Sequence, residues 1–484
     1  MMTNYTRFSG FVHARHAQIV DGTGAPLLLR GMGLGNWLLA EGYMWKFGDE
    51  MSSPRQIEAR IVETVGAERA DEFWTRYRDT FITEADIQQI AEHGFDHVRL
   101  PFNSRGLMDD NGDWIESGFT LIDRAIEWCE RHNLWILLDL HGAPGGQTGT
   151  NIDDSPRLKP ELFMNDRYRK QTVKLWQELA RRYRDRTHVL GYDLLNEPLP
   201  NEWQHIYADE LVDLYRELTT AIREIDPDHL IVYEGSHWAT NWSIFTDVID
   251  PNSALQFHRY WCPPERSSIA EYLEARDRLG LPIYMGEGGE NTPEWIYAAT
   301  RLYEQHNIGW NFWPWKKLDT RTSPISVRPP ADWNLIIDQD ANLEPDTAQR
   351  ILNEFLDNIA LVNCSARPDV INALFGRHPL RIPAWGYIEA DATAPTRFSP
   401  TAETDGLWHH TAGEPYRDSE VPHIQIDPGA VIRFPLETRP SAWTINADDP
   451  ASFAVTWEED HLAVRALTTA RLLSLDLRAE QETL

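Results

Sequence analysis

The sequence predicts an α/β protein: a (β/α)8 TIM barrel over residues 1–380, followed by a β-sandwich over residues 381–484. Three observations carry that prediction. Eight short apolar runs alternate with helical periodicity between about residues 27 and 358. Those runs are apolar without alternation, as parallel strands covered on both faces are. Near Arg381 the helical periodicity stops and short alternating runs replace it. A doubly wound open sheet also fits the alternation, but no Gly-rich phosphate loop follows any strand.

The elements follow in order. Phe11 to Ala14 and Ala17 to Val20 flank the polar pair Arg15 and His16, the pattern of a hairpin that plugs the bottom of a barrel. Leu27 to Gly33 is the first barrel strand, and residues 36–80 read as a long loop carrying Trp37, Glu41 and Trp45. Thr83 caps a helix with an acidic first turn, which Gly94 ends. The second strand is His97 to Phe102, and the third is Trp135 to Gly142. Between them Leu121, Ile122, Ala125, Ile126 and Cys129 form one helical stripe. A helix from about Pro160 leads to the fourth strand, Val189 to Leu195, which runs out into Asn196-Glu197-Pro198. The remaining strands are Leu230 to Glu234, Ala254 to His258, Leu281 to Glu287 and Ile308 to Trp313, most of them set apart by helices. In the C-terminal part, His423 to Ile426, Ala430 to Phe434 and Leu462 to Leu467 alternate between turn signals. That part shows no clear aromatic row, which favours a structural role over glycan binding.

The formal net charge of −30 disfavours nucleic acid or an anionic membrane as partner and is indifferent to neutral sugars. Twenty tryptophans supply stacking platforms for sugar rings, although half or more are expected simply to pack. Three cysteines, Cys129, Cys262 and Cys364, argue against a disulfide framework. No signal peptide and no apolar run of membrane-spanning length is visible, so a cytoplasmic location is expected.

In a (β/α)8 barrel the chemistry sits at the C-terminal ends of the strands. Here those ends carry Arg99, His141, Asn196, Glu197, His258 with Tyr260, Glu287 and Trp313. Singly, each has an ordinary reading: an ion-pair member, a satisfied core histidine, a solvated glutamate, a lid on the core. Together they are denser in polar groups than a barrel mouth needs. Two carboxylates flanking a glycosidic bond cleave it with retention when they stand about 5–5.5 Å apart. The acid then needs a raised pKa and the nucleophile a low one. Glu197 is expected as the acid and Glu287 as the nucleophile, with Arg99 holding Glu287 ionised and Tyr260 bonding to it. Asn196 is placed for a sugar 2-hydroxyl, His141 and His258 for hydroxyls or for tuning Glu197, and Trp313 for stacking. Glu290 reads as a solvated loop residue.

These eight strand-end residues, in this order, resemble the signature set of glycoside hydrolase family 5. The resemblance covers about residues 20 to 320 and implies retaining double displacement and no cofactor. Leu29-Arg30-Gly31, Leu34-Gly35-Asn36-Trp37, Asp139-Leu140-His141-Gly142-Ala143-Pro144-Gly145 and Phe312-Trp313-Pro314-Trp315-Lys316 resemble motifs of its exo-β-1,3-glucanase branch. The resemblance places Glu41 at a glutamate that binds the non-reducing-end glucose. Gly33 stands where the branch has asparagine, and Thr150 where it has an aromatic residue. The expected activity is an exo-acting retaining β-glycosidase on β-glucosides or short β-linked oligosaccharides. A β-mannosidase, a glycolipid or other β-glycoside hydrolase and an endo-β-glucanase remain open. Rivals from other classes are a non-catalytic carbohydrate-binding protein and a metal hydrolase; for the latter, His409-His410 and the scattered histidines supply no strand-end ligand set.

Overall fold

The computed structural model describes residues 7–48, 53–150, 152–339, 341, 343–390 and 422–478. His409 and His410 lie outside them. A two-stranded hairpin opens the chain, β1 (His13–Arg15) and β2 (Gln18–Val20). Eight strands then close a barrel: β3 (Arg30–Gly33), β4 (His97–Asn103), β5 (Trp135–Gly142), β6 (Val189–Asp193), β7 (Leu230–Glu234), β8 (Ser253–Arg259), β9 (Ile283–Gly289) and β10 (Gly309–Trp313). Neighbours pair in parallel all the way round, with β10 closing onto β3. The strands are buried almost without a break, which is why their sequences read as continuous apolar runs.

The hairpin closes the lower end. Val12 and Ile19 pack with Trp135, Leu137, Leu190, Leu230 and Tyr284, residues near the N-terminal ends of their strands. Among the described residues this apolar plug fills the lower end of the barrel.

Residues 36–80 are not a loop. They contain two helices, α1 (Pro54–Val65) and α2 (Ala67–Thr80), broken by Gly66 at φ +84°. Ser53 and Gln56 form a capping box at the start of α1. Trp45, Phe73, Trp74, Tyr77, Trp333 and Phe355 interlock here, with ring centroids 4.8–6.2 Å apart. These tryptophans therefore hold the loop rigid rather than meet sugar. The anchor is Asn36, in the left-handed region at φ +70°. Its side-chain oxygen accepts from the Trp45 indole at 2.6 Å and from the Glu41 backbone N–H at 3.2 Å, so packing in this layer fixes where Glu41 points.

Among the described residues, the C-terminal part forms two four-stranded antiparallel sheets. One centres on Ala470–Arg478, which pairs with Leu380–Pro383, Ile424–Ile426 and Ala442–Ala447. The other runs Glu389–Ala390, Val431–Pro435, His461–Ala466, Phe453–Glu458. They lean on the helix Pro293–Gln305, where the Tyr297 hydroxyl donates to the Pro435 carbonyl at 2.9 Å. Among the described residues, no helix is long and apolar enough to cross a membrane.

Candidate active site

Each barrel strand from β4 to β9 delivers a polar side chain to the mouth, and Arg99 is the hub. It is the third residue of β4 rather than its last, and is fully buried below the strand ends. Its Nε donates to Asp193 at 2.9 Å and its Nη1 to Glu287 at 2.7 Å. Its Nη2 serves Asn196 at 2.8 Å and Glu234 at 3.0 Å, with Asp139 3.2 Å away. A planar guanidinium with five donors can satisfy such a ring, whereas a single ammonium cannot. Burial pushes the Asp139 carboxyl up to about 8 and that of Asp193 well above the usual range, despite Arg99.

The two glutamates stand above this hub. Glu287, near the end of β9, takes Arg99 on Oε2 and the Tyr260 hydroxyl on Oε1 at 2.5 Å. Glu197 follows β6 in the left-handed region, φ +46°, and accepts from His258 Nδ1 at 2.8 Å. Donor atoms of Glu197, His258 and Glu287 all lie within 4.8 Å of one another. That puts carboxylate oxygens in the range of a retaining pair and well short of the roughly 6.5–9.5 Å of an inverting one. Two carboxylates and a histidine this close also form a group that could hold a metal ion. Burial acts to lower His258, yet Glu234 and Glu287 raise it well above its usual range, so the ring bridges these carboxylates as a cation. Burial, then Glu197, raises the Glu287 carboxyl, while His258 and Arg99 pull it back. The low pKa expected of Glu287 is thus not what this site builds: closing the site from water works against the two cations.

His141 is held neutral, at about 4, chiefly by burial. Its Nδ1 faces Asp139 at 2.7 Å and its Nε2 faces the Asn196 amide nitrogen at 3.3 Å, an arrangement in which Nδ1 carries the proton. Trp313 stacks on the His141 ring, centroids 5.4 Å apart and planes 9° apart. Gly33 explains itself here. A Cβ on it would meet the Trp313 ring at 2.6 Å, so the asparagine of the related branch has no room.

The mouth opens into a cavity of about 750 Å³. Glu41, His141, Glu197, His258, Tyr260, Glu287 and Trp313 line it, while Arg99 and Asn196 sit beneath its floor with no exposed surface. Thr150 is not on the wall; Ile152 of the same loop is. Sequence reasoning missed several wall and support residues. Glu290, expected to be solvated, is buried, ion-paired to Lys317 and on the wall, with Tyr43 beside it. Trp238 and Trp261 line the cavity as well. Gln147, fully buried, stitches the loop after β5 to Asn196 and His141 through their carbonyls, at 2.9 and 2.7 Å. Glu234, Asp139 and Asp193 are strand residues, legible as polar breaks in apolar runs; the loop residues carry no periodic signal.

The model of the family described as Cellulase (glycosyl hydrolase family 5) matches residues 58–319. A β-xylosidase of Phanerodontia chrysosporium is 30% identical over 340 residues, covering 62% of this chain and 70% of that protein. A probable glucan 1,3-beta-glucosidase A of Emericella nidulans is 31% identical over 302 residues, covering 58% and 73%. Endoglucanase C of Acetivibrio thermocellus is 29% identical over 314 residues, covering 51% and 88%. Among solved structures, an endogalactoceramidase covers 97% of this chain and 100% of its own at 17% identity and a TM-score of 0.50, a likeness of fold. The match spans β4 to β10, the strands that deliver the polar ring. On that match and a relative 30% identical across 70% of its length, the chain belongs to glycosyl hydrolase family 5 and is a glycoside hydrolase.

Proposed function

We propose that this glycoside hydrolase is an exo-acting retaining β-glycosidase that cleaves β-glucosides or short β-linked oligosaccharides through a covalent glycosyl-enzyme. The observation that carries the reading is the close approach of the Glu197 and Glu287 carboxylates at the barrel mouth, within 4.8 Å. Glu197 protonates the leaving oxygen while Glu287 attacks the anomeric carbon. Water, deprotonated by Glu197, then releases the sugar with its configuration retained. Arg99 and Tyr260 aim the Glu287 oxygens from below and beside. Trp313 and His141 form the floor of the sugar site. Asn196, beneath that floor, uses an amide hydrogen on His141 and so orients the ring that meets the sugar.

Glu41, Tyr43, Glu290 and Lys317 all line the cavity, and the last three contact one another through the Lys317 ammonium; a wall of this kind supports exo action. The Glu41 Oε1 is buried without a hydrogen-bond partner among the described residues. A sugar hydroxyl would satisfy it, and leaving a buried polar group without its partner costs about 1–3 kcal/mol. Glu41→Ala is therefore expected to lower kcat/KM about tenfold to a hundredfold, measured with an aryl β-glucoside, without changing the anomer released.

The aglycone leaves on the Glu197 side, because the acid protonates it. The His237 N–H there donates to the Leu199 carbonyl at 3.2 Å, setting the loop of Trp238 against that of Glu197. Trp238 adds apolar surface to this side, and the 42%-exposed Trp261 adds more to the same cavity. That favours aryl and other apolar aglycones as a second reading beside oligosaccharides. Further parts of the proposal are division of the chain into a catalytic barrel, residues 1–380, and a supporting sandwich, residues 381–484, and a cytoplasmic setting. The three free cysteines suit a reducing compartment.

The test is a screen against aryl β-glucoside, aryl β-mannoside and β-1,3- and β-1,4-linked disaccharides, each beside Glu287→Ala. Release of glucose that the variant loses supports the reading. Release of mannose alone would replace the sugar, and cleavage inside longer chains would replace exo action.

A further inference from the structure

Glu234 closes β7 and is fully buried, yet none of its surface lines the cavity. Its two oxygens divide the neighbourhood. Oε2 accepts from the Glu197 backbone N–H at 2.7 Å. Oε1 accepts from Arg99 at 3.0 Å and from the Gln256 amide at 2.5 Å, with His258 Nε2 at 3.3 Å. The other nitrogen of that histidine, Nδ1, meets Glu197 Oε1 at 2.8 Å. One carboxylate thus holds Glu197 twice, by its main chain directly and by its side chain through His258.

The backbone contact matters because Glu197 is in the left-handed region, at φ +46°, as are Leu199 and Asn201 after it. L-residues persist there only where the surroundings over-determine them. A carboxylate accepting a main-chain N–H is one of the stronger hydrogen bonds available. Glu234 is itself fixed from behind: Tyr215 donates to its carbonyl at 2.9 Å. Burial alone would raise its carboxyl, but His258, Arg99 and the Glu197 N–H hold it below the usual range, so it stays ionised.

From this geometry we propose that Glu234 is a positioning residue for proton transfer: it fixes Glu197 at the height and angle from which Glu197 protonates the leaving oxygen and later deprotonates water. Glu234 touches no substrate and acts only through Glu197 and His258. The inference rests on the assignment of Glu197 as acid/base and of Glu287 as nucleophile.

The test compares wild type, Glu234→Gln and Glu197→Ala on two aryl glycosides of the sugar the enzyme accepts, one with a dinitrophenol leaving group and one with unsubstituted phenol. kcat/KM reports the first bond cleavage. A dinitrophenolate leaves without a proton, whereas phenol needs one. Glu234→Gln is expected to lower kcat/KM about a hundredfold for the phenyl glycoside and to change it little for the dinitrophenyl one. Sodium azide is expected to raise kcat of the variant on the dinitrophenyl substrate. Azide attacks the anomeric carbon, forms a glycosyl azide and frees the Glu287 carboxylate, with no proton to be removed. An equal loss on both substrates without azide rescue, beside the leaving-group-dependent loss in Glu197→Ala, would overturn the positioning role and leave the acid/base assignment standing. No leaving-group dependence in Glu197→Ala itself would overturn that assignment, and this inference with it. Should Glu234→Gln fail to fold, Glu234→Asp, which keeps the charge but withdraws it by one methylene, is held to the same two readouts.

Discussion

Glu287→Ala is expected to lower kcat by about 10⁴-fold or more on any aryl glycoside, while the protein melts at or above the wild-type temperature. The rate follows from the nucleophile role proposed for Glu287, since removing a nucleophile of a catalytic unit costs roughly that much or more. The stability follows from the same burial that raises the Glu287 carboxyl. An ionised oxygen in a closed cavity beside Glu197 is an expense to the fold, and alanine removes it. Arg99 keeps Asp193, Asn196 and Glu234 as partners. Loss of activity together with loss of stability would mean that Glu287 is a structural link in the ring. The pairing of a dead enzyme with an undiminished melting temperature separates the two.

Arg99→Leu is expected to do the opposite: it should unfold the barrel more than it perturbs chemistry. Four carboxylates and one amide converge on this guanidinium, at 2.7–3.2 Å. Breaking a buried ion pair from one side costs about 3–5 kcal/mol, because the partner charge is left uncompensated. Asp139 and Asp193 escape part of that cost by staying protonated, since burial already raises them. Glu234, held below the usual range, does not. Arg99→Lys should recover only part of the stability, because one ammonium cannot reach Asp193, Glu287 and Asn196 together. Urea unfolding followed by tryptophan fluorescence measures both variants. A shift of under about 1 kcal/mol for Leu would show that the ring does not depend on Arg99.

Much of this was legible in the sequence, for identifiable reasons. A parallel strand buried on both faces leaves an unbroken apolar run, so all eight barrel strands are visible, and with them the residues at their ends. The helix α2 was legible in principle, since Ala70, Phe73, Trp74 and Tyr77 recur at helical spacing. It was hidden by its charged neighbours and by the break at Gly66. The strand Ala442–Ala447 has no fully buried residue, and its alternation is carried by two half-buried side chains alone, Trp443 and Ile445. Within the site, residue types were visible but their pairings were not. Glu234 meets Arg99 across 135 residues of sequence, and nothing local says that a strand-end glutamate turns toward a guanidinium instead of substrate. The same limit applies to the pKa of Glu287: Arg99 nearby suggested a low value, and only the depth of burial reverses it. Tyr43, Glu290 and Lys317 reach the wall through loop geometry that periodicity cannot express.

The most direct measurement is to trap the intermediate. The enzyme is incubated with a 2-deoxy-2-fluoro glycoside of the accepted sugar carrying dinitrophenol, digested, and its peptides weighed. The account predicts one fluoroglycosyl group per chain, on the peptide containing Glu287. A label on another residue, or turnover to the inverted sugar with no labelled peptide, would contradict the double displacement through Glu287.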